Sequence, residues 1–158
     1  MSASKLSSIL SAIYDAIEAT APFYEQDKGF TRYRDELDLS LTDPGLTFRN
    51  FRVSVLSVGR GPKPDQRDKH SRQAVLQVQV NYPLSYQMAS ADDPAGLGIE
   101  ALRQDDGRLI EDTLCHRRPA PVEAIMSGTS PLLWQGSFLV GRLWTIQLSI
   151  DYMETTTP

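Results

Sequence analysis

The nine residues Trp144-Thr145-Ile146-Gln147-Leu148-Ser149-Ile150-Asp151-Tyr152 decide the fold. Apolar and polar side chains alternate without a break. A β-strand sends successive side chains to opposite faces, so this stretch reads as a strand with one packed face and one polar face. Just upstream, Leu132–Trp134 and Phe138–Val140 read as shorter strands leading into it. Leu76, Val78, Val80 and Tyr82 repeat the alternation against Gln77, Gln79 and Asn81, and Pro83 ends that run. Phe51, Val53 and Val55 alternate with Arg52 and Ser54, which makes Asn50–Val58 a strand too. Between the last two lies Gly59-Arg60-Gly61-Pro62-Lys63-Pro64, where paired glycines and prolines stop regular structure. The two strands therefore form an antiparallel hairpin with a tip of about 13 residues, well beyond the usual 2–5.

Helical spacing appears twice. Leu6, Ile9, Leu10, Ile13 and Ile17 form one stripe, which predicts a helix over Ser4–Ala19 capped by Ser2 or Ser4 and closed by Pro22. The same stretch has Lys5 before an apolar run, but its four serines from Ser4 to Ser11, Asp15 and Glu18 make it amphipathic rather than a signal segment. Asp92-Asp93-Pro94 is a helix start, and Leu97, Ala101, Leu102, Leu109, Ile110 and Leu114 supply an apolar face. That predicts a second helix to about Leu114, kinked or frayed near Gly107. Pro22–Asn50 reads as a loop with one edge strand at Leu37–Leu41 and a turn at Asp43-Pro44-Gly45. Arg117–Pro131 reads as a loop, and Glu154–Pro158 as a loose tail. The expected architecture is α+β, one domain spanning 1–158: a mainly antiparallel sheet, two helices on one face, and a long hairpin arm.

Composition narrows the function. The 158 residues carry 16 Lys+Arg, 20 Asp+Glu and a net charge of -4, ordinary for one domain. That charge is uneven. Arg60, Lys63, Arg67, Lys69 and Arg72 stand against Asp65 and Asp68 on the hairpin arm. Further along, 92–112 holds seven acidic residues, among them Asp92, Asp93, Asp105 and Asp106, against Arg103 and Arg108. Opposite charges on two segments suit an interface between copies or partners, and these nine arm and aspartate residues are the candidate contact set. A dedicated nucleic-acid binder is usually far more basic. No run of about 18 apolar residues offers a membrane span, and the default place of synthesis is the cytosol.

Catalytic and cofactor motifs are missing. There is no GxxxxGK[ST], HExxH or GxSxG, and the prolines after Gly61 remove the backbone donors a phosphate would need. One cysteine cannot make a disulfide or a CxxC metal knuckle. Cys115-His116 is the one adjacent thiol and imidazole, but neighbours in sequence point apart, a poor arrangement for a nucleophile and its base. Asp92-Asp93 and Asp105-Asp106 could hold Mg²⁺, yet such pairs more often sit at helix starts and on solvated faces. His70 reads as a surface residue. Trp134, Trp144, Tyr82 and Tyr152 read as core or interface aromatics. The expectation is a non-enzyme without cofactor or metal.

In order, these elements resemble the tail-terminator (tail-completion) proteins of long-tailed bacteriophages. The opening helix Leu6–Ile17, the strands Phe51–Val58 and Leu76–Tyr82 joined by a polar arm, the helix Pro94–Leu114 and the late strand Trp144–Tyr152 carry the likeness. It rests on organisation rather than on a signature motif, and segments Pro22–Asn50 and Arg117–Ser137 are longer than the family pattern. The resemblance implies a virion protein, made in the host cytoplasm, that forms a hexameric ring. Such a ring caps the tail tube protein, stops its polymerisation and meets head-completion or neck proteins, while DNA passes through its lumen without specific binding. Another head–tail connector, such as a stopper or neck subunit, is the alternative within that class. Outside it stand a monomeric adaptor or nucleic-acid-binding module using the basic loop 60–72, and an enzyme with an unrecognised site.

Overall fold

The computed structural model describes residues 5–26, 28–33, 48–82, 98–116, 132–141 and 143–155. In chain order they form α1 (Lys5–Glu18), β1 (Thr31–Arg32), β2 (Asn50–Arg60), β3 (Lys69–Asn81), α2 (Ile99–Glu111), a π-helical turn (Asp112–His116), β4 (Leu133–Val140) and β5 (Leu143–Thr155). The five strands make one sheet in the order β1-β2-β3-β5-β4. Every neighbouring pair is antiparallel except β1–β2. The fold is α+β.

Register shows why the alternation matters. Val80 lies between Phe51 and Trp144, Val78 between Val53 and Ile146, and Leu76 between Val55 and Leu148. Directly opposed residues share a face, so these side chains form one continuous apolar surface, here called the front. Both helices cover it. α1 buries Ile9, Ala12, Ile13, Ala16 and Ile17, and its Tyr14 ring lies 5.5 Å from Phe51. α2 buries Leu102 and Ile110, with Leu114 in the turn that follows. Burying each such aliphatic side chain stabilises the fold by roughly 1.5–3 kcal/mol before entropy is counted. Gly107 sets the approach of α2: a Cβ there would lie 2.6 Å from the Trp144 indole nitrogen.

Several expectations need correction. The hairpin tip is shorter, because β2 runs to Arg60 and β3 starts at Lys69, with Arg60 opposite Arg72. Both ends of the expected arm are thus ladder, and the tip is reduced to residues 61–68. Leu132–Trp134 and Phe138–Val140 are joined in one strand, β4, interrupted by a bulge between Trp134 and Gly136. α2 runs through Gly107 without a kink, since the missing side chain is what permits its packing. The tail is not loose at Glu154 and Thr155, which pair with His70 and Lys69. The polar side of β5 is not a water-facing side along its length, for Thr145 and Ser149 are buried. The two-residue strand Thr31–Arg32 was unforeseen, and it alone makes the sheet mixed. Arg32 ties it to α1 through Asp15 and Glu18. The expected strand 37–41, the turn 43–45, the start of the second helix at 92–94 and the loop 117–131 lie outside the described residues.

Candidate interface

The root of the sheet is closed by a buried charge cluster. Arg49 and Asp106 are 0% and 1% exposed. Arg49 donates from Nε to Asp106 Oδ2 at 2.7 Å and from Nη2 to Oδ1 at 2.9 Å, a bidentate pair. Its Nη1 reaches the carbonyls of Glu25 and Lys28 at 2.9 and 3.0 Å. Phe48 and Phe30 flank the guanidinium, with ring centroids 4.9 and 5.4 Å away. The Tyr82 hydroxyl donates to Asp106 Oδ2 at 2.5 Å. Burial pushes the Asp106 carboxyl above its ordinary range, against the opposing pull of Arg49 and Tyr82. Burial, with the Asp106 charge beside it, also drives Tyr82 well above an ordinary phenol. Each group is matched by another, so the cluster holds β2, β3 and α2 together and leaves no carboxylate for a partner or an ion.

Asp106 therefore drops out of the candidate contact set: it faces inward, because α2 turns it toward Arg49. Asp105, one residue earlier and about 100° around the helix, is half-buried and lines two shallow grooves beside α2. The first, about 410 Å³, is also lined by Phe23, Arg108, Leu109, Glu111, Asp112 and His116. The second, about 320 Å³, runs between α2 and β4 past Glu111, Trp134 and Ser137. Asp92 and Asp93 lie outside the described residues. No group of three or more His, Cys, Asp or Glu residues suited to a metal ion occurs among the described residues.

At the other end of the sheet, the basic residues come together on an ordered turn. Gly61 N–H bonds to the Ser71 carbonyl at 3.1 Å. A Cβ on Gly61 would strike Ser71 Oγ and the Arg72 backbone. Asp65 accepts the Ser71 N–H at 2.8 Å and lies 3.2 Å from His70 Nδ1. These contacts, the Ser71 N–H foremost, hold the Asp65 carboxyl below its ordinary range. Lys63, Arg67 and Lys69 stand exposed around it, and Arg60 and Arg72 sit side by side on the front face.

Two sheet edges lie open among the described residues. β1 covers only Asn50 and Phe51 of β2. The next outward-facing backbone groups, at Val53, are taken by one side chain. The Tyr14 hydroxyl accepts the Val53 N–H at 2.9 Å and donates to the Val53 carbonyl at 3.1 Å. From Val55 to Arg60 every residue is exposed, and Val55, Leu56 and Val58 are large and apolar. On the opposite side of the sheet, β4 exposes Leu133, Trp134, Phe138, Leu139 and Val140 at between 41% and 52%. Trp134 is thus a surface aromatic, whereas Trp144, Tyr82 and Tyr152 are in the core.

Edge strands usually carry charge or proline that keeps other strands away. Leu133–Val140 carries neither, and Val55–Gly59 carries neither. Each edge has a single bulge, at Leu56 and at Gln135, and no other guard among the described residues. These apolar edge residues are absent from the charged set singled out above. The signal for them was in plain sight as eight consecutive uncharged positions, 133–140, next to a strand already placed.

No family model matches the chain, and neither a curated protein nor a solved structure matches it.

Proposed function

We propose that this chain is a self-assembling structural subunit of a virion, the tail terminator that its organisation resembles. One observation carries the reading: a single sheet ends at both sides in exposed apolar strand, on two different surfaces. A contact between unlike surfaces of identical copies is heterologous, and it closes into a ring when the rotation between copies closes. Burying five exposed β4 side chains and three on β2 against a neighbour supplies the driving force. The described grooves are shallow and hold no nucleophile–base pair, so a docking role accounts for more of the surface than chemistry does. The basic turn and the carboxylates of α2 add complementary charge.

Light scattering after gel filtration, run with and without tail tube protein, tests this. A closed oligomer, or one formed on adding tail tube protein, supports the reading. A strict monomer that also ignores tail tube protein at high concentration overturns it. A steeply salt-dependent affinity for duplex DNA, with no oligomer, transfers the function to the basic turn.

A further inference from the structure

We infer that copies of this chain join by backbone pairing, β4 of one copy against the bare half of β2 of the next, in a register that Tyr14 sets. The inference rests on the self-assembly reading above and names its contact.

Direction comes first. β2, β3, β5 and β4 alternate in direction, so β2 and β4 run oppositely. When copies repeat head to tail around an axis, the β4 of one meets the β2 of the next antiparallel. The sheet then continues in the pattern it already has, and the unpaired N–H and C=O groups of both edges find partners.

Register follows from two constraints. Side chains alternate between faces, so a stagger between copies must be an even number of residues to keep front against front. Within one copy Leu139 is level with Trp144, Val80 and Phe51. With no stagger, Leu139 would face a part of β2 that β1 occupies. A two-residue stagger would bring it to Val53, whose outward groups Tyr14 holds. A four-residue stagger, about 13 Å, is the first that clears both obstacles and places Leu139 opposite Val55. Beyond the Leu56 bulge, Ser57 then faces Phe138, Val58 faces Ser137, Gly59 faces Gly136, and Arg60 reaches Trp134. Front residues meet front residues at each step. Closing a sheet on itself requires a stagger of this kind.

Charge agrees with that register. Arg60 and Arg72 lie on the front face of the arm. Asp105 and Glu111, with Arg108 between them, lie on the front face beside β4, lining the groove that includes Trp134 and Ser137. The four-residue stagger brings Ser137 up to Val58, so the two carboxylates of one copy's groove, which outnumber its single Arg108, arrive next to the arginine pair of the neighbour. The segments of opposite charge in the sequence then become two sides of one contact.

Disulfide trapping between separately made variants tests the register. In a Cys115→Ser background, Val58→Cys protein is mixed with Ser137→Cys protein, and in parallel with Leu139→Cys protein. Directly opposed Cβ atoms lie within disulfide reach and diagonal ones do not, so the first mixture should cross-link roughly ten-fold faster. Amide exchange at 55–60 and 135–140 should slow on assembly. An oligomer that forms without that protection, or that links Val58→Cys faster to Leu139→Cys, overturns the pairing and leaves the self-assembly reading standing. A chain that stays monomeric with tail tube protein present removes both.

Discussion

The two halves of β2 both carry apolar residues in a strand pattern and are opposite in fate. Asn50–Ser54 contains Phe51 and Val53, and Val55–Arg60 contains Val55, Leu56 and Val58. The first half is buried under α1 and fastened by Arg49, β1 and Tyr14. The second half is exposed along its whole length. A pattern of apolar residues thus states that a strand exists, and leaves open what covers it. Where the chain covers its own strand, even the outward-facing backbone groups of Val53 are given a partner, the Tyr14 hydroxyl. Where it does not, apolar side chains and an unpaired edge are left side by side, and that combination points to a partner.

The comparison breaks most severely at the root. Asp106→Ala would leave the Arg49 guanidinium buried without its counter-ion, which should cost about 3–5 kcal/mol. For a domain of this size that is a fall in Tm of roughly 10 °C. Replacing both partners by apolar residues, Arg49→Leu with Asp106→Leu, should cost clearly less than the two single changes added together. Additive losses in thermal unfolding would show that the two side chains are not one unit. Acid titration gives a sign. The folded-state Asp106 carboxyl is raised, so the folded chain binds the extra proton. Its contribution is complete below the unfolded value of about 3.9 and is lost as pH rises through the raised value. The Asp106→Asn chain should lack that decline. A parallel pH profile for both proteins would contradict the assignment.

Next in size is the helix contact. Gly107→Ala puts a methyl group 2.6 Å from the Trp144 indole nitrogen. Either the ring or α2 must move, at about 1–3 kcal/mol. The same change gains helix propensity of about 1 kcal/mol, so a Tm that rises would mean that Trp144 swings aside freely.

How much of this was legible varies by the range of the interaction. β3, β5 and the root of β2 were readable because strand alternation is local, and α1 because its stripe is. The arm was misjudged because glycines and prolines at 59–64 advertise a break. A ladder anchored by Ser71 and Asp65, and backed by β5 out to Thr155, depends on long-range pairing that no local signal carries. Arg49 was not singled out at all. Its role needs Asp106, Tyr82, Phe30 and two carbonyls from separate segments, and its backbone sits in the left-handed region at φ 59°. A non-glycine residue there costs on the order of 1–3 kcal/mol and persists only because those partners hold it. Of the charged contact set, only the arm residues and Asp105 are both described and outward-facing. The apolar edges, which make the stronger case for docking, were read as strands and not as a contact surface.

On monomer stability the edges should matter little. Phe138→Lys and Val58→Lys add charge to exposed edge positions and should shift unfolding by no more than about 0.5 kcal/mol each. Assembly, read by light scattering, should be lost in both, because a charge on an open edge blocks strand addition. Arg60→Glu should weaken assembly less, and Glu111→Lys in the partner copy should restore part of the loss. Normal assembly by both lysine variants would place the contact elsewhere.

The smallest effect belongs to the turn that crowns the arm. Asp65 is exposed, so its hold on the Ser71 N–H is a local matter. Its carboxyl is lowered, so whatever order it lends is present above the unfolded value of about 3.9 and is lost as pH falls through the lower folded value. Hydrogen exchange at the Ser71 amide should therefore be slow near neutral pH in the wild-type chain and faster in Asp65→Asn, with the global Tm unchanged. Exchange at Val78, deep in the ladder, should be the same in both. If the Ser71 amide of Asp65→Asn is as protected as that of the wild type, the turn is held by the Gly61 N–H on the Ser71 carbonyl and the Lys63 N–H on Ser71 Oγ alone. The basic side chains around it would then owe their position to the ladder and nothing to Asp65.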